Sequence, residues 1–147
     1  MPPDNETALK LVALDAEDLA IVSAHLQEAI VRVGDMAYLP AEKRFAMVLN
    51  RFDWTGEQGV PARRRRAGIH FERVLGAQIR GIDLTARDAA VDLLAVDFEE
   101  KQSPSGIVTL RFGDGSAIKL EVECLEAALS DLGPSWPAEK SPQHDQA

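Results

Sequence analysis

Val108-Thr-Leu-Arg-Phe-Gly-Asp-Gly-Ser-Ala-Ile-Lys-Leu-Glu-Val122, VTLRFGDGSAIKLEV, is the stretch on which the fold turns. Val108, Leu110 and Phe112 alternate with Thr109 and Arg111. Gly113-Asp-Gly-Ser116 supplies turn chemistry, and then Ile118, Leu120 and Val122 alternate with Lys119 and Glu121. A period of two on both sides of a Gly/Asp turn predicts an antiparallel hairpin with one buried and one wet face. Cys124 continues the buried register and reads as a small core residue rather than a nucleophile.

Downstream, Leu125, Ala128, Leu129 and Leu132 fall at helical spacing. With Gly133 as a C-terminal cap and Pro134 as a stop, they predict a short C-terminal helix. Residues 134–147 read as a polar, Pro-containing tail in which Trp136 alone docks back.

Upstream, Val91 to Glu100 reads as a strand, with Ser103–Gly106 as a loop after it. Residues 64–75 and 77–82 read as two more strands, and 81–88 as a connection with a helical turn. Arg44 to Phe52 (RFAMVLNRF) is apolar on both faces near its middle, which predicts a central strand covered on both sides. Residues 55–61 (TGEQGVP) are a loop and Pro40–Lys43 a turn. Ile30 to Leu39 is a strand with a bulge or bend at Gly34.

Before that strand, Leu19, Val22, Leu26, Ala29 and Ile30 form a helical stripe. With Asp15 as N-cap and Asp18 as a partial capping box, the stripe predicts a helix over 16–28. Leu9–Leu14 is a short strand, and residues 1–7 are a flexible N-terminus. The sum is one α+β domain over 8–133: a mainly antiparallel curved sheet or partly open barrel with an N-terminal and a C-terminal helix. Seven strands closed by a C-terminal helix would be a pleckstrin-homology-like layout, although the N-terminal strand and helix depart from it.

The net charge of -8 argues against a general nucleic-acid binder. The charge is uneven: residues 42–87 carry ten Arg/Lys against five Asp/Glu, so the flanks hold -13. A single cysteine excludes an intrachain disulfide and fits a reducing cytoplasm. The N-terminus lacks the basic and apolar regions of a signal peptide, and no apolar run is long enough to span a membrane.

Arg63-Arg-Arg-Arg66 stands out in so acidic a chain. On a strand, Ala67, Ile69 and Phe71 face one side, with Arg63 and Arg65 extending it past the core, their stems covering apolar surface and their heads wet. Arg64, Arg66, Gly68, His70 and Glu72 face the other. One reading is a solvated strand end balanced by Glu72, Glu121 or Glu123. The other is an anion or acidic-partner site, because guanidinium forks hold phosphate and carboxylate bidentately. Arg51, Arg73 and Arg80 join that site if the middle strands are adjacent. Arg51, Asp53 and Trp54 flank the same TGEQGVP loop as Arg64, Arg66 and His70, so the two patches form one surface.

Nucleic acid is the weaker partner for this run. Aromatics make up 5% of the chain, too few for base-stacking platforms, and no nucleic-acid motif accompanies the arginines. His25, His70 and His144 have no zinc-ligand spacing. His70 and Glu72 share a strand face at i, i+2, which suits a surface pair or a weak acid–base pair. Asp97, Glu99 and Glu100 lack a third, placed ligand and read as a solvated strand end. No Walker, G-x-S-x-G or dinucleotide fingerprint is present. No catalytic residue, metal or cofactor is assigned.

The segments VRVGDMAYLPAEKRFAMVLNRFDW (31–54), RRRAGIHFERVLGAQIRGID (64–83) and GSAIKLEVECLEAALSDLGPSW (115–136) resemble an uncharacterised alphaproteobacterial family known as a domain of unknown function. The resemblance covers about residues 8–136 and implies a small bacterial protein with no assigned chemistry. The sequence thus points first to a non-enzymatic cytoplasmic binding or scaffold module. Its central basic surface (Arg51, Arg64, Arg66, His70, Arg73, Arg80) would meet an acidic protein or an anionic small molecule. The alternatives are a small enzyme with a site near His70, a weak nucleic-acid binder through Arg63–Arg66, and strand addition by a partner peptide at a sheet edge.

Overall fold

The computed structural model describes residues 8–53 and 63–133 in full and the backbone of Trp136–Pro137. Along the chain run β1 (Lys10–Ala13), α1 (Ala16–His25), β2 (Ala29–Leu39), a 3-10 turn (Pro40–Glu42), β3 (Arg44–Asp53), β4 (Arg63–Glu72) and β5 (Val74–Arg80). Then come β6 (Ala90–Glu100), β7 (Gly106–Phe112), β8 (Ala117–Val122), β9 (Ala127–Asp131) and the two-residue β10 (Trp136–Pro137). The strands form one open antiparallel sheet in the order β1-β9-β4-β3-β2-β6-β7-β8-β5, with β10 pairing the start of β4.

Two corners bend this sheet. β4 passes into β5 through Arg73, whose φ of 60° is left-handed, and β8 passes into β9 through residues 123–126. The corners stay bonded to each other. Glu72 N–H donates to Glu126 O (2.9 Å), and Glu123 N–H donates to Arg73 O (2.9 Å). The expected strand break near Gly76 therefore falls at Arg73, and Gly76 marks only a register shift against β8.

The hairpin forms as its alternation predicts. Val108, Leu110 and Phe112 pack inward beside Ile118, Leu120 and Val122. The same core takes Phe45, Met47 and Leu49 from β3, Ile69 and Phe71 from β4, and Leu19, Val22 and Leu26 from α1. β3 lies between β2 and β4 as expected. Its second face is half-buried at Ala46, Val48 and Asn50 rather than covered.

The N-terminal helix starts as its cap predicts. Asp18 N–H donates to Asp15 Oδ1 (2.8 Å), and Leu14 N–H donates to Asp18 Oδ2 (3.1 Å), a reciprocal cap displaced by one residue from the usual box. It ends at His25, three residues short of the expectation. Glu28 turns left-handed (φ 64°), and its N–H and that of Ala29 donate to Leu93 O and Leu26 O, so the chain already feeds β2. In β2 the register shifts between Val31 and Met36. Gly34 makes this bulge possible. Its N–H donates to Arg87 O (2.8 Å), and a Cβ there would sit 3.0 Å from that carbonyl.

The predicted C-terminal helix is not there, and residues 127–131 are β9. Burial follows a period of two: Leu125, Ala127 and Leu129 are buried, while Leu132 is 55% exposed. Ala and Leu favour helix intrinsically, but β9 is bonded on one side to β1 and on the other to β4. Two ladders satisfy its backbone, and tertiary pairing overrides propensity. Gly133 therefore caps no helix. Further on, Trp136 pairs with Arg64 and Pro137 with Arg63. The corner also slips the register after Val122: Leu125 takes the core position, and Cys124, expected inside, is half-buried.

Candidate functional site

The structure divides the expected basic surface into three environments. The first is inside the protein. Arg51 grips Asp131 with Nε–Oδ1 and Nη2–Oδ2 distances of 2.9 Å each. The Arg51 side chain is 2% exposed and that of Asp131 is fully buried. Arg65 lies cross-strand from Arg51, with Nε 3.3 Å from Asp53 Oδ2 and 3.7 Å from Asp131 Oδ2. Asp131 also accepts from Leu9 N–H (2.7 Å). Buried charges persist only when paired and hydrogen-bonded. This cluster meets that condition by tying β3, β4 and β9 to the start of β1. Arg65, expected to keep its head wet, is instead 1% exposed and part of the cluster. Arg51 and Asp53 face inward with it, while Trp54 and the TGEQGVP loop lie outside the described residues.

The second environment is the outer face of β3 and β4, where the remaining cations meet local partners. The Arg64 guanidinium stacks 4.5 Å from the centre of the Phe52 ring. Arg66 Nη1 lies 3.5 Å from Asn50 Oδ1 and its Nη2 lies 3.8 Å from Asp35. His70 Nδ1 lies 2.7 Å from Glu72 Oε2, which also accepts from Arg44 Nε (2.8 Å). Arg73 Nε donates to Glu126 (3.2 Å). The acids expected to balance the run are therefore only partly those met: Glu72 serves His70 and Arg44, and among the described residues Glu121 pairs with no arginine. A shallow cavity of about 490 Å³ beside His70 is lined by Lys43, Arg44 and Arg73 against Glu42, Glu72, Glu123 and Glu126. Lys43, Arg44 and Arg73 are each already paired with one of its carboxylates, so it offers an anion little.

The third environment is the outer face of β5-β8-β7-β6, where Arg80 lies. The register sets three rows across the four strands. Arg80, Ala117, Arg111 and Ala95 form the first, Gln78, Lys119, Thr109 and Asp97 the second, and Gly76, Glu121, Ile107 and Glu99 the third. Small residues at Gly76, Ala95 and Ala117 open space between the long side chains. A trough of about 540 Å³ runs over the second and third rows, and a cavity of about 360 Å³ adjoins it over the first and second.

Thr109 is the floor of both, and only 6% exposed although it stands on the wet face. Among the described residues, no side chain or backbone group bonds its hydroxyl, and no carboxylate lies within 4.0 Å of Arg80 or Lys119. Arg111 is held by Asp97 through Nε alone (3.0 Å). Three cations and no acid line the smaller cavity.

Residues 9–144 match DUF2948, a family described as a protein of unknown function. This chain belongs to that family. No curated protein and no solved structure is a match to it. The DUF2948 description carries no activity, so the chemistry of the chain rests on its own geometry. Among the described residues no three His, Cys, Asp or Glu side chains are grouped to hold a metal ion, and no helix is long and apolar enough to cross a membrane.

Of the six residues expected to form one basic surface, the structure brings Arg64, Arg66, His70 and Arg73 onto β4 and its corner. It sends Arg51 inside and sets Arg80 apart on β5. Thr109, Arg111 and Lys119, which surround Arg80's side of the trough, were visible as the wet face of the hairpin. The missing signal was the pairing of β5 with β8, from Arg80 with Ala117 to Val74 with Val122, a long-range contact that no local pattern encodes.

Proposed function

We propose that the protein is a non-enzymatic binding module that takes an anionic group on the outer face of β5-β8-β7-β6. The carrying observation is that Arg80 and Lys119 flank the unbonded Thr109 hydroxyl with no carboxylate partner among the described residues. Cations already matched by acids gain little from a ligand, because the ligand must displace a bond that exists. Cations without counter-ions keep their full capacity for charge-assisted bonds. Arg111, oriented by Asp97, and the Gln78 amide complete a donor set suited to carboxylate or phosphate oxygens. Arg64, Arg66, His70 and Arg73 serve the fold and the solubility of the β3–β4 face in this reading.

The continuation of β4 into β5 carries the far edge of the sheet back beside its middle, which fits a curved, partly open barrel without the C-terminal helix that a pleckstrin-homology-like layout needs. The single cysteine fits a reducing compartment, and we place the module in the cytoplasm.

Calorimetric titration with inorganic phosphate and with acetate tests the reading. Arg80→Ser combined with Lys119→Ser is expected to abolish binding, while Arg64→Ser combined with Arg66→Ser leaves it intact. The opposite pattern would move the site to β4, and equal binding by all three proteins would remove the assignment.

A further inference from the structure

The trough and the smaller cavity adjoining it form one run with a direction, and this extends the reading of the site just given. Its first row carries Arg80 and Arg111 and no acid. Its third row carries Glu121 and Glu99 and no base. Lys101 compensates Glu99 at 3.1 Å, but Glu121 has no ion pair among the described residues. The two rows stand four residues apart along β8, about 13 Å at the rise of a strand. Between them the Gln78 amide and the Thr109 hydroxyl offer neutral donors and acceptors.

We infer that the trough and its adjoining cavity together bind an extended zwitterionic peptide: a free C-terminal carboxylate at Arg80, Arg111 and Lys119, and a basic side chain about three residues earlier at Glu121. An anion alone would leave Glu121 idle, and its field would oppose entry. A cation alone would meet Lys119 two residues along the same strand face. A molecule with both charges and amide groups between them satisfies every open group in the trough. The trough of about 540 Å³ and the adjoining cavity of about 360 Å³ each lie within the ordinary range of ligand sites, and the run they form suits a few small residues. Gly76 leaves the third row open, since a Cβ there would stand 3.7 Å from Glu121 Oε1 and narrow the approach to it.

The test uses the full chain and three synthetic peptides: acetyl-Lys-Ala-Ala-Ala with a free carboxylate, its C-terminal amide, and acetyl-Gln-Ala-Ala-Ala with a free carboxylate. Affinities come from calorimetry, with thermal melting to show that each variant is folded. The first peptide is expected to bind at least about tenfold more tightly than either of the others, the scale of one charged hydrogen bond lost. Glu121→Gln is expected to erase the preference for Lys over Gln while leaving carboxylate binding in place. Equal affinity for the Lys and Gln peptides, with phosphate and acetate still bound, would overturn the zwitterion assignment and leave the anion site standing. Failure of the peptides and of both simple anions would overturn the two together.

Discussion

Arg51 and Asp131 form a two-bond ion pair with both side chains sealed from water, 80 residues apart in sequence. A guanidinium read from sequence as part of a surface is thus a bolt between β3 and β9. Its partner Asp131 also takes the Leu9 amide and lies 3.7 Å from Arg65. One carboxylate therefore joins four segments. Removing its charge leaves cations in a dry site, and breaking a buried pair in this way costs about 3–5 kcal/mol. Asp131→Asn should lower the free energy of urea unfolding by an amount of that order. A change below about 0.5 kcal/mol would mean the pair is not buried as described.

Leu129 and Leu132 separate the strand from the helix expected over 125–132. In the strand, Leu129 is buried and Leu132 is exposed on the outer face. A helix would bury both. Leu129→Ala should cost about 2–5 kcal/mol, the range for large-to-small core changes. Leu132→Ala should fall within about 0.5 kcal/mol of wild type. Comparable losses at both positions would support the helix.

Gly106 is set by close packing rather than by its backbone angles. A Cβ there would meet the Glu99 carbonyl oxygen and come within 2.6 Å of the Phe98 ring. Gly106→Ala forces β6 and β7 apart at that end, with an overpacking cost of about 1–3 kcal/mol. Chemical denaturation of this variant beside Gly115→Ala separates steric from conformational cost. At Gly115 nothing lies within 4 Å of the added Cβ, and only its φ of 87° opposes the change.

Asp114 closes the hairpin turn by accepting from the Ser116 hydroxyl (2.5 Å) and the Ser116 N–H (2.9 Å). These bonds, the hydroxyl foremost, hold its carboxyl below the usual 3.8. A depressed folded value means the contribution is present above the unfolded value and is lost as pH falls through the folded one. Carbon-detected titration should therefore place the Asp114 midpoint below 3.8, and Ser116→Ala should move it up. A midpoint unmoved by that substitution would contradict the turn geometry.

Much of the fold was legible because it is local. The hairpin, the capped helix and the Gly34 bulge each announce themselves within a dozen residues, through alternation, a cap or a missing Cβ. The C-terminal segment was misread because Leu125, Ala128, Leu129 and Leu132 satisfy a helix as well as 125, 127 and 129 satisfy a strand. Only the partners β1 and β4 decide between them. The arginines illustrate the same limit. Alternation placed Arg65 on the inward side of β4, but the acids that let it and Arg51 stay there are Asp53 and Asp131, and Asp131 comes from another strand. The open cations at Arg80 and Lys119 became recognisable only once pairing showed which charges had no counterpart nearby.

The central claim is that the outer face of β5-β8-β7-β6, at Arg80 and Lys119, and not the arginine run, receives an anion. Two-dimensional NMR of the uniformly labelled protein, titrated with inorganic phosphate at constant ionic strength, tests it most directly. The account predicts saturable shifts at the amides of Gln78, Arg80, Thr109, Arg111 and Lys119, with Arg64, Arg66 and His70 unmoved. Shifts confined to Arg64, Arg66 and His70, or none that saturate, would contradict it.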